Sequence, residues 1–128
     1  MSKLKNKCTF TEFNNYVDAY IATWDSINDT VILLGAWLDD SNNTNTGERL
    51  EIALEKRLLE AKRELLESKR QAFKLNKSAI NPPSKKDVKK ARKLADEIDG
   101  IIRNSETMDA ALSVAEQSLK LFNEIQEV

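Results

Sequence analysis

The sequence predicts an all-α protein, an antiparallel four-helix bundle with two long helices followed by a shorter helical hairpin. Three glycines and two prolines in 128 residues are too few for the many turns of a β-sandwich or barrel. Apolar residues also recur in steps of three and four along four segments, which is the spacing of one helical face. We expect a single domain over residues 1–128, with a flexible N-terminus at 1–8.

The first helix is predicted from Phe10 to Leu38. Thr9 and Glu12 have the spacing of a capping box, in which each side chain accepts a hydrogen bond from the other residue's backbone. A coiled-coil-like apolar seam follows for four heptads, through Phe10, Phe13, Val17, Tyr20, Trp24, Ile27, Val31, Leu34 and Leu38. Apolar residues outside this seam make the second half of the helix apolar on most sides, as in a central or interface helix.

The second helix is predicted from Glu48 to Lys77, after a polar loop over Asp39–Gly47. We expect one apolar stripe to face the core, with three apolar residues beside it. The stripe is Leu54, Leu58, Ala61, Leu65, Ala72 and Leu75, and the residues beside it are Leu59, Leu66 and Phe73. Most other positions are charged, so the rest of the helix should be solvated.

Pro82 and Pro83 end the second helix, because proline lacks a backbone donor and disfavours helical geometry in the residue before it. Ser84 and Asp87 form a second capping-box pattern and open helix 3, predicted over 85–103. Its inward residues should be Val88, Ala91, Leu94, Ala95, Ile98, Ile101 and Ile102. Helix 4 is predicted over 106–127, capped by Ser105 or Thr107. Its face should be Met108, Ala111, Leu112, Ala115, Leu119, Phe122 and Ile125.

The net charge of −1 hides a strong segregation of charge along the chain. No basic residue occurs between Lys7 and Arg49, so helix 1 together with the two aspartates that follow it carries a net charge of −6, and the helix 4 segment carries −4. Helix 2 and the segment 80–103 each carry +3. We expect helices of opposite sign to pack side by side. The alternative is that one sign is presented to a partner.

Composition also excludes several kinds of chemistry. The chain has no histidine and one cysteine, Cys8, which excludes a disulfide within the chain, Ser-His-Asp or Cys-His nucleophiles and imidazole metal sites. The longest uncharged run, 30–38, is about half the length that spans a bilayer. We therefore predict a cytoplasmic, non-enzymatic protein without a cofactor or membrane partner.

Protein binding is the predicted function, either to a second copy as a homodimer or to another protein. An adaptor, a chaperone, an immunity or inhibitor protein and an oligomerising subunit would all fit. Six of the eight aromatic residues lie on helix 1, and Tyr and Trp are frequent anchors of interfaces. The predicted contact residues are Tyr16, Tyr20, Trp24, Val31, Leu34, Trp37 and Leu38, with Asp25, Asp29, Asp39 and Asp40 at the rim.

A first alternative is nucleic-acid binding by the basic start of helix 3. The residues that would contact phosphates are Lys85, Lys86, Lys89, Lys90, Arg92 and Lys93. Such contacts would be strongly salt-dependent. Against this alternative, no aromatic residue for base stacking is interleaved with them.

A second alternative is a Mg²⁺-dependent enzyme. Glu64 and Glu67 on helix 2, and Asp96 and Asp99 on helix 3, have the i,i+3 spacing that places each pair on one helical face. Adjacent helices would then offer four carboxylates to Mg²⁺ and a phosphate substrate. This pattern resembles the paired acidic motifs of all-α nucleoside triphosphate pyrophosphatases, and the resemblance implies nucleotide hydrolysis.

Overall fold

Four helices build the protein, as a computed structural model describing residues 4–104 and 108–128 shows. They are α1 (Phe10–Asp39), α2 (Thr46–Lys74), α3 (Lys85–Asn104) and α4 (Met108–Asn123). The predicted all-α four-helix bundle is confirmed. The cap predicted at Ser105 or Thr107 lies outside the described residues. None of the helices in the described ranges is long and apolar enough to cross a membrane.

Both predicted capping boxes form. At α1, the Glu12 backbone N–H donates to Thr9 Oγ1 at 3.1 Å, and the Thr9 N–H donates to Glu12 Oε1 at 2.9 Å. At α3, the Asp87 N–H donates to Ser84 Oγ at 3.2 Å, and the Ser84 N–H donates to Asp87 Oδ2 at 2.9 Å. Asn45, which was not predicted as a cap, accepts from the Glu48 N–H at the start of α2. These local bonds fix where three of the helices begin.

Helix α1 is the centre of the bundle. It packs against α2, α3 and α4, and α3 also packs against α4. Within the described residues, α2 meets neither α3 nor α4. Both basic helices therefore contact the acidic α1 but not each other, and Arg92 of α3 pairs with Asp18 of α1 at 3.2 Å.

The segment between α2 and α3 explains this arrangement. Buried Ile80 exchanges two backbone hydrogen bonds of 2.7 Å with Lys5, and Asn15 Nδ2 donates to the Pro83 carbonyl. The segment therefore passes the N-terminal end of α1, and α3 begins on a side of α1 that α2 does not occupy. Of the N-terminus predicted to be flexible, residues 1–3 lie outside the described part, and Lys5 is tied to the fold by this pairing.

The core lies around α1. Its largest fully buried side chains include Tyr16, Ile27 and Leu34 from α1, Leu66 from α2 and Phe122 from α4. Small residues allow α1 and α4 to approach closely, although both are acidic. They include Ala19 and Ser26 on α1 and Ala115 and Ser118 on α4, all buried. The Ser26 and Ser118 hydroxyls share a hydrogen bond of 2.8 Å.

The predicted inward stripe of α2 is wrong. The buried residues of α2 are Ile52, Leu59, Leu66 and Phe73, which are spaced seven residues apart. Leu54, Leu58, Leu65 and Leu75 of the predicted stripe are exposed instead. The reason is that α2 packs on one helix only, so a single row of side chains fills the contact and a second apolar row is left uncovered.

Candidate partner-binding surface

The predicted contact residues of helix 1 divide into core and margin. Tyr16, Tyr20, Val31 and Leu34 are buried within the chain, so a partner could reach them only if the bundle opened. Because α1 has three helical neighbours, positions off its main seam, such as Tyr16, are buried as well. Trp24, Trp37 and Leu38 are half-buried and pack against the core. Asp25, Asp39 and Asp40 are exposed, and Asp29 is half-buried.

Tyr16 belongs to a buried polar network. Its hydroxyl donates to Gln126 Oε1 at 2.6 Å, and its ring lies 4.6 Å from the ring of Phe73. Gln126 Nε2 in turn donates to the Lys69 carbonyl at 2.8 Å and to Ser78 Oγ at 3.2 Å. Burial raises the pKa of the Tyr16 hydroxyl, so it remains a protonated donor. The network joins α1, α2 and the residues after α4, which is a structural role.

Polar contacts show which side of α2 faces α1. Trp24 Nε1 donates to Glu67 Oε1 at 3.1 Å, and Arg63 Nη1 donates to Asn28 Oδ1 at 2.7 Å. The Arg70 guanidinium lies 5.3 Å from the centre of the Tyr20 ring, a cation–π distance. These residues flank the buried row of α2, so the remaining side of the helix points away from the bundle.

That remaining side carries a row of apolar residues interrupted at Ser68, which we call the outer leucine stripe. Its residues are Leu50, Leu54, Leu58, Ala61, Leu65, Ala72 and Leu75. The five leucines have 41–62% of their surface exposed. Steps of three or four residues, and one of seven across Ser68, align them along one side of a helix of 29 residues, about 43 Å long, with Leu75 directly after its end. This is the largest regular apolar feature that the described helices leave uncovered.

Comparison with known proteins identified no relatives: no protein family, no curated protein and no solved structure matches the chain. The geometry of the molecule is therefore the guide to its function.

The four carboxylates of the predicted Mg²⁺ site are not brought together. Glu64 and Glu67 lie on α2, whereas Asp96 and Asp99 lie on α3, and these helices do not touch within the described residues. Among the residues that the structure describes, no group of three or more acidic or thiol side chains could hold a metal ion. The reason is topological, because α1 rather than α2 is the neighbour of α3.

The basic start of α3 is solvent-facing. All six cationic residues of the predicted nucleic-acid site, Lys85, Lys86, Lys89, Lys90, Arg92 and Lys93, are exposed. Lys90 and Lys93 also line an open groove of about 440 Å³ between α3 and α4, where Glu97 and Glu124 add the opposite charge. Nucleic-acid binding remains a prediction.

Asp29 on the central helix α1 lies near two other carboxylates, Asp25 of the same helix and Asp99 of α3. Partial burial, followed by the nearby charges of Asp25 and Asp99, raises the pKa of the Asp29 carboxyl. Cys8, the one thiol, is half-buried near the start of α1, and burial raises its pKa, so it is protonated at neutral pH. A protonated thiol is a weak nucleophile.

Proposed function

We propose that this chain is a protein-binding module and that its contact surface is the outer leucine stripe of α2. The exposure of four leucines along one side of α2, with Leu75 directly after it, carries the proposal. Contiguous apolar patches of this kind on a soluble protein mark sites of interaction. An amphipathic helix face is also a recurring means of protein recognition.

Burial of the stripe provides the driving force. A fully buried leucine contributes about 1.5–3 kcal/mol relative to an exposed one. For five leucines that are about half exposed, covering the stripe would contribute on the order of 4–7 kcal/mol before the entropic costs of association. This gain is comparable to the lower end of those costs, about 4 kcal/mol, so the stripe would support a weak complex whose affinity depends on further contacts.

We therefore propose the stripe, rather than the predicted surface on helix 1, as the main contact. Its buried members already serve the core, whereas the stripe has no intramolecular role of that kind. Separation of the acidic pairs on α2 and α3 also favours binding over hydrolysis. The proposed role is that of a small helical adaptor, inhibitor or oligomerising subunit, with no reaction of its own.

The proposal is tested by making the stripe polar without weakening the helix. The variant Leu54→Gln/Leu58→Gln/Leu65→Gln keeps side chains with good helix propensity. A matched control is Ile21→Gln/Ile32→Gln on α1, where the two isoleucines are 49% and 59% exposed. Light scattering measures self-association, immobilised protein tests binding to proteins of a cell extract, and circular dichroism confirms folding of each variant.

We expect the stripe variant to lose association with its binding partner while the isoleucine control retains it. If the wild type binds neither itself nor another protein, or if the stripe variant binds as well as the wild type, the proposal is wrong.

A further inference from the structure

The charged residues on either side of the outer leucine stripe identify a specific binding partner. We infer that the stripe binds α2 of a second copy of this chain, with the two helices antiparallel. This inference rests on the proposed function and names the partner of the same surface.

The first argument is the spacing of the stripe. From Leu54 onwards its positions alternate by four and three residues, which is the seam of a two-stranded coiled coil. The seam is Leu54, Leu58, Ala61, Leu65, Ser68, Ala72 and Leu75. Ser68 interrupts the apolar run, so the strongest packing is expected over its first half.

The second argument is the order of charges beside the seam. On one flank Glu48 and Glu55 are followed by Lys62 and Lys69, so the charge changes sign midway along the helix. A helix with one sign in its first half and the other sign in its second half is complementary to itself when reversed. The charge order of this flank therefore favours an antiparallel pair.

One register satisfies both arguments. When Leu54 packs against Leu65 of the second copy, Leu58 packs against Ala61 of the second copy. On the first flank, Glu48 then faces Lys69 of the second copy, and Glu55 faces its Lys62. On the other flank, Arg57 faces Glu64 of the second copy. Two-fold symmetry repeats each pair, so six pairs of opposite charge surround the seam and none of like charge.

Other arrangements bring like charges together. In a parallel pair, Arg57 would face Lys62 of the second copy. A shift of the antiparallel register by one heptad places Arg57 opposite itself, and a shift in the other direction places Glu64 opposite itself. Since facing like charges are destabilising, the flanks select one register.

The charged flanks are accessible in the single chain. Glu48, Arg57 and Glu64 are exposed, and Glu55, Lys62 and Lys69 are half-buried. In the described part of the chain, Arg57 and Glu64 form no ion pair. Lys62 Nζ lies 3.4 Å from the carbonyl of Val128, which occupies one of its three donors and leaves two for Glu55 of the second copy.

Two charge-reversal substitutions test both the identity of the partner and the antiparallel orientation of the two helices. Sedimentation equilibrium over a concentration series up to about 1 mM measures the dimer Kd. We expect Arg57→Glu to weaken the dimer about tenfold, because it creates two facing pairs of like charge. The double variant Arg57→Glu/Glu64→Lys should restore the wild-type Kd to within about twofold. Lys89→Glu, an exposed reversal on α3, is the control and should change nothing.

A parallel dimer would respond in the opposite way, since Arg57→Glu would then face Lys62 and tighten binding. Spin labels provide a second measurement. With Cys8→Ser and Thr46→Cys, the inferred register separates the two labels by about 40 Å along the axis, against about 10 Å for a parallel pair. A short distance, or a tighter Arg57→Glu dimer, overturns the inference.

The outcomes separate this inference from the proposed function. If the protein is monomeric throughout the series but captures another protein through the stripe, the inference fails and the proposed function stands. If the protein is monomeric and the stripe captures nothing, both fail.

Discussion

Helices α1 and α2 are neighbours of almost equal length, 30 and 29 residues, but they differ in how much of each is buried. Ten residues of α1 are buried and only four of α2. Helix α1 has three helical neighbours and α2 has one. The difference teaches that the number of neighbours, more than the apolar pattern of a helix, decides which of its apolar residues form the core.

The two helices also differ in the charged residues that they carry. All charged residues of α1 are acidic, and α1 is the central helix. Helix α2 is densely charged and still presents a leucine row to solvent. A helix whose charges are all acidic can therefore occupy the middle of a bundle, because its charged residues lie outside its buried positions.

The largest expected effect compares a leucine from each helix. Leu34→Ala on α1 removes a fully buried side chain and should lower the free energy of unfolding by about 2–5 kcal/mol. Leu58→Ala on α2 removes an exposed side chain and should change it by less than about 0.5 kcal/mol. Urea unfolding at high dilution, where self-association is negligible, measures both variants. Equal losses would contradict the contrast between the helices.

The next effect concerns the network that joins α1 to α2. Gln126→Leu leaves the buried Tyr16 hydroxyl without its acceptor and should cost about 1–3 kcal/mol. Adding Tyr16→Phe removes the unpaired donor, so the double variant should recover part of the loss. Thermal unfolding of both single variants and the double variant measures the coupling. Strictly additive losses would show that the hydroxyl and the amide do not interact.

The smallest effect concerns the acidic side of α1. Because the pKa of Asp29 is raised in the folded chain, its charged form is less favourable there than in the unfolded chain. The protonated carboxyl therefore favours the folded chain. This stabilisation is fully present below the ordinary pKa of 3.8 and is lost as the pH rises through the raised pKa.

Asp29→Asn should therefore stabilise the protein at pH 7, by about 0.3–0.5 kcal/mol because solvent screens this partly exposed carboxylate. The difference from the wild type should disappear at acidic pH. Urea midpoints at several pH values test this, and a destabilised variant at pH 7 would reverse the sign of the argument.

The sequence predicted the helices well because their signals are local. Thr9 with Glu12 and Ser84 with Asp87 make bonds within one turn, so spacing alone locates the helix starts. The neighbours of each helix were not predictable, because they depend on the path past Ile80, which no turn signal encodes. Two apolar rows on α2 were visible, but either could have faced the core.

For the candidate site, too, the sequence showed the residues but not their tertiary contacts. Leu54, Leu58 and Leu65 were recognised as a stripe but assigned to the wrong environment. Gln126 received no role, because a glutamine near the end of a chain is usually solvated. Its burial depends on Tyr16, which is 110 positions away in the sequence.

The central position of α1 has a consequence for biosynthesis. Ser26 and its partner Ser118 are 92 positions apart, so a ribosome adding about 5–20 residues per second needs about 5–20 s to make the second after the first. During this interval α2 and then α3 can cover α1, but α4 is not yet complete. The nascent chain therefore exposes the part of α1 that later packs against α4, and we expect its yield in cells to depend on chaperones that bind emerging apolar helices.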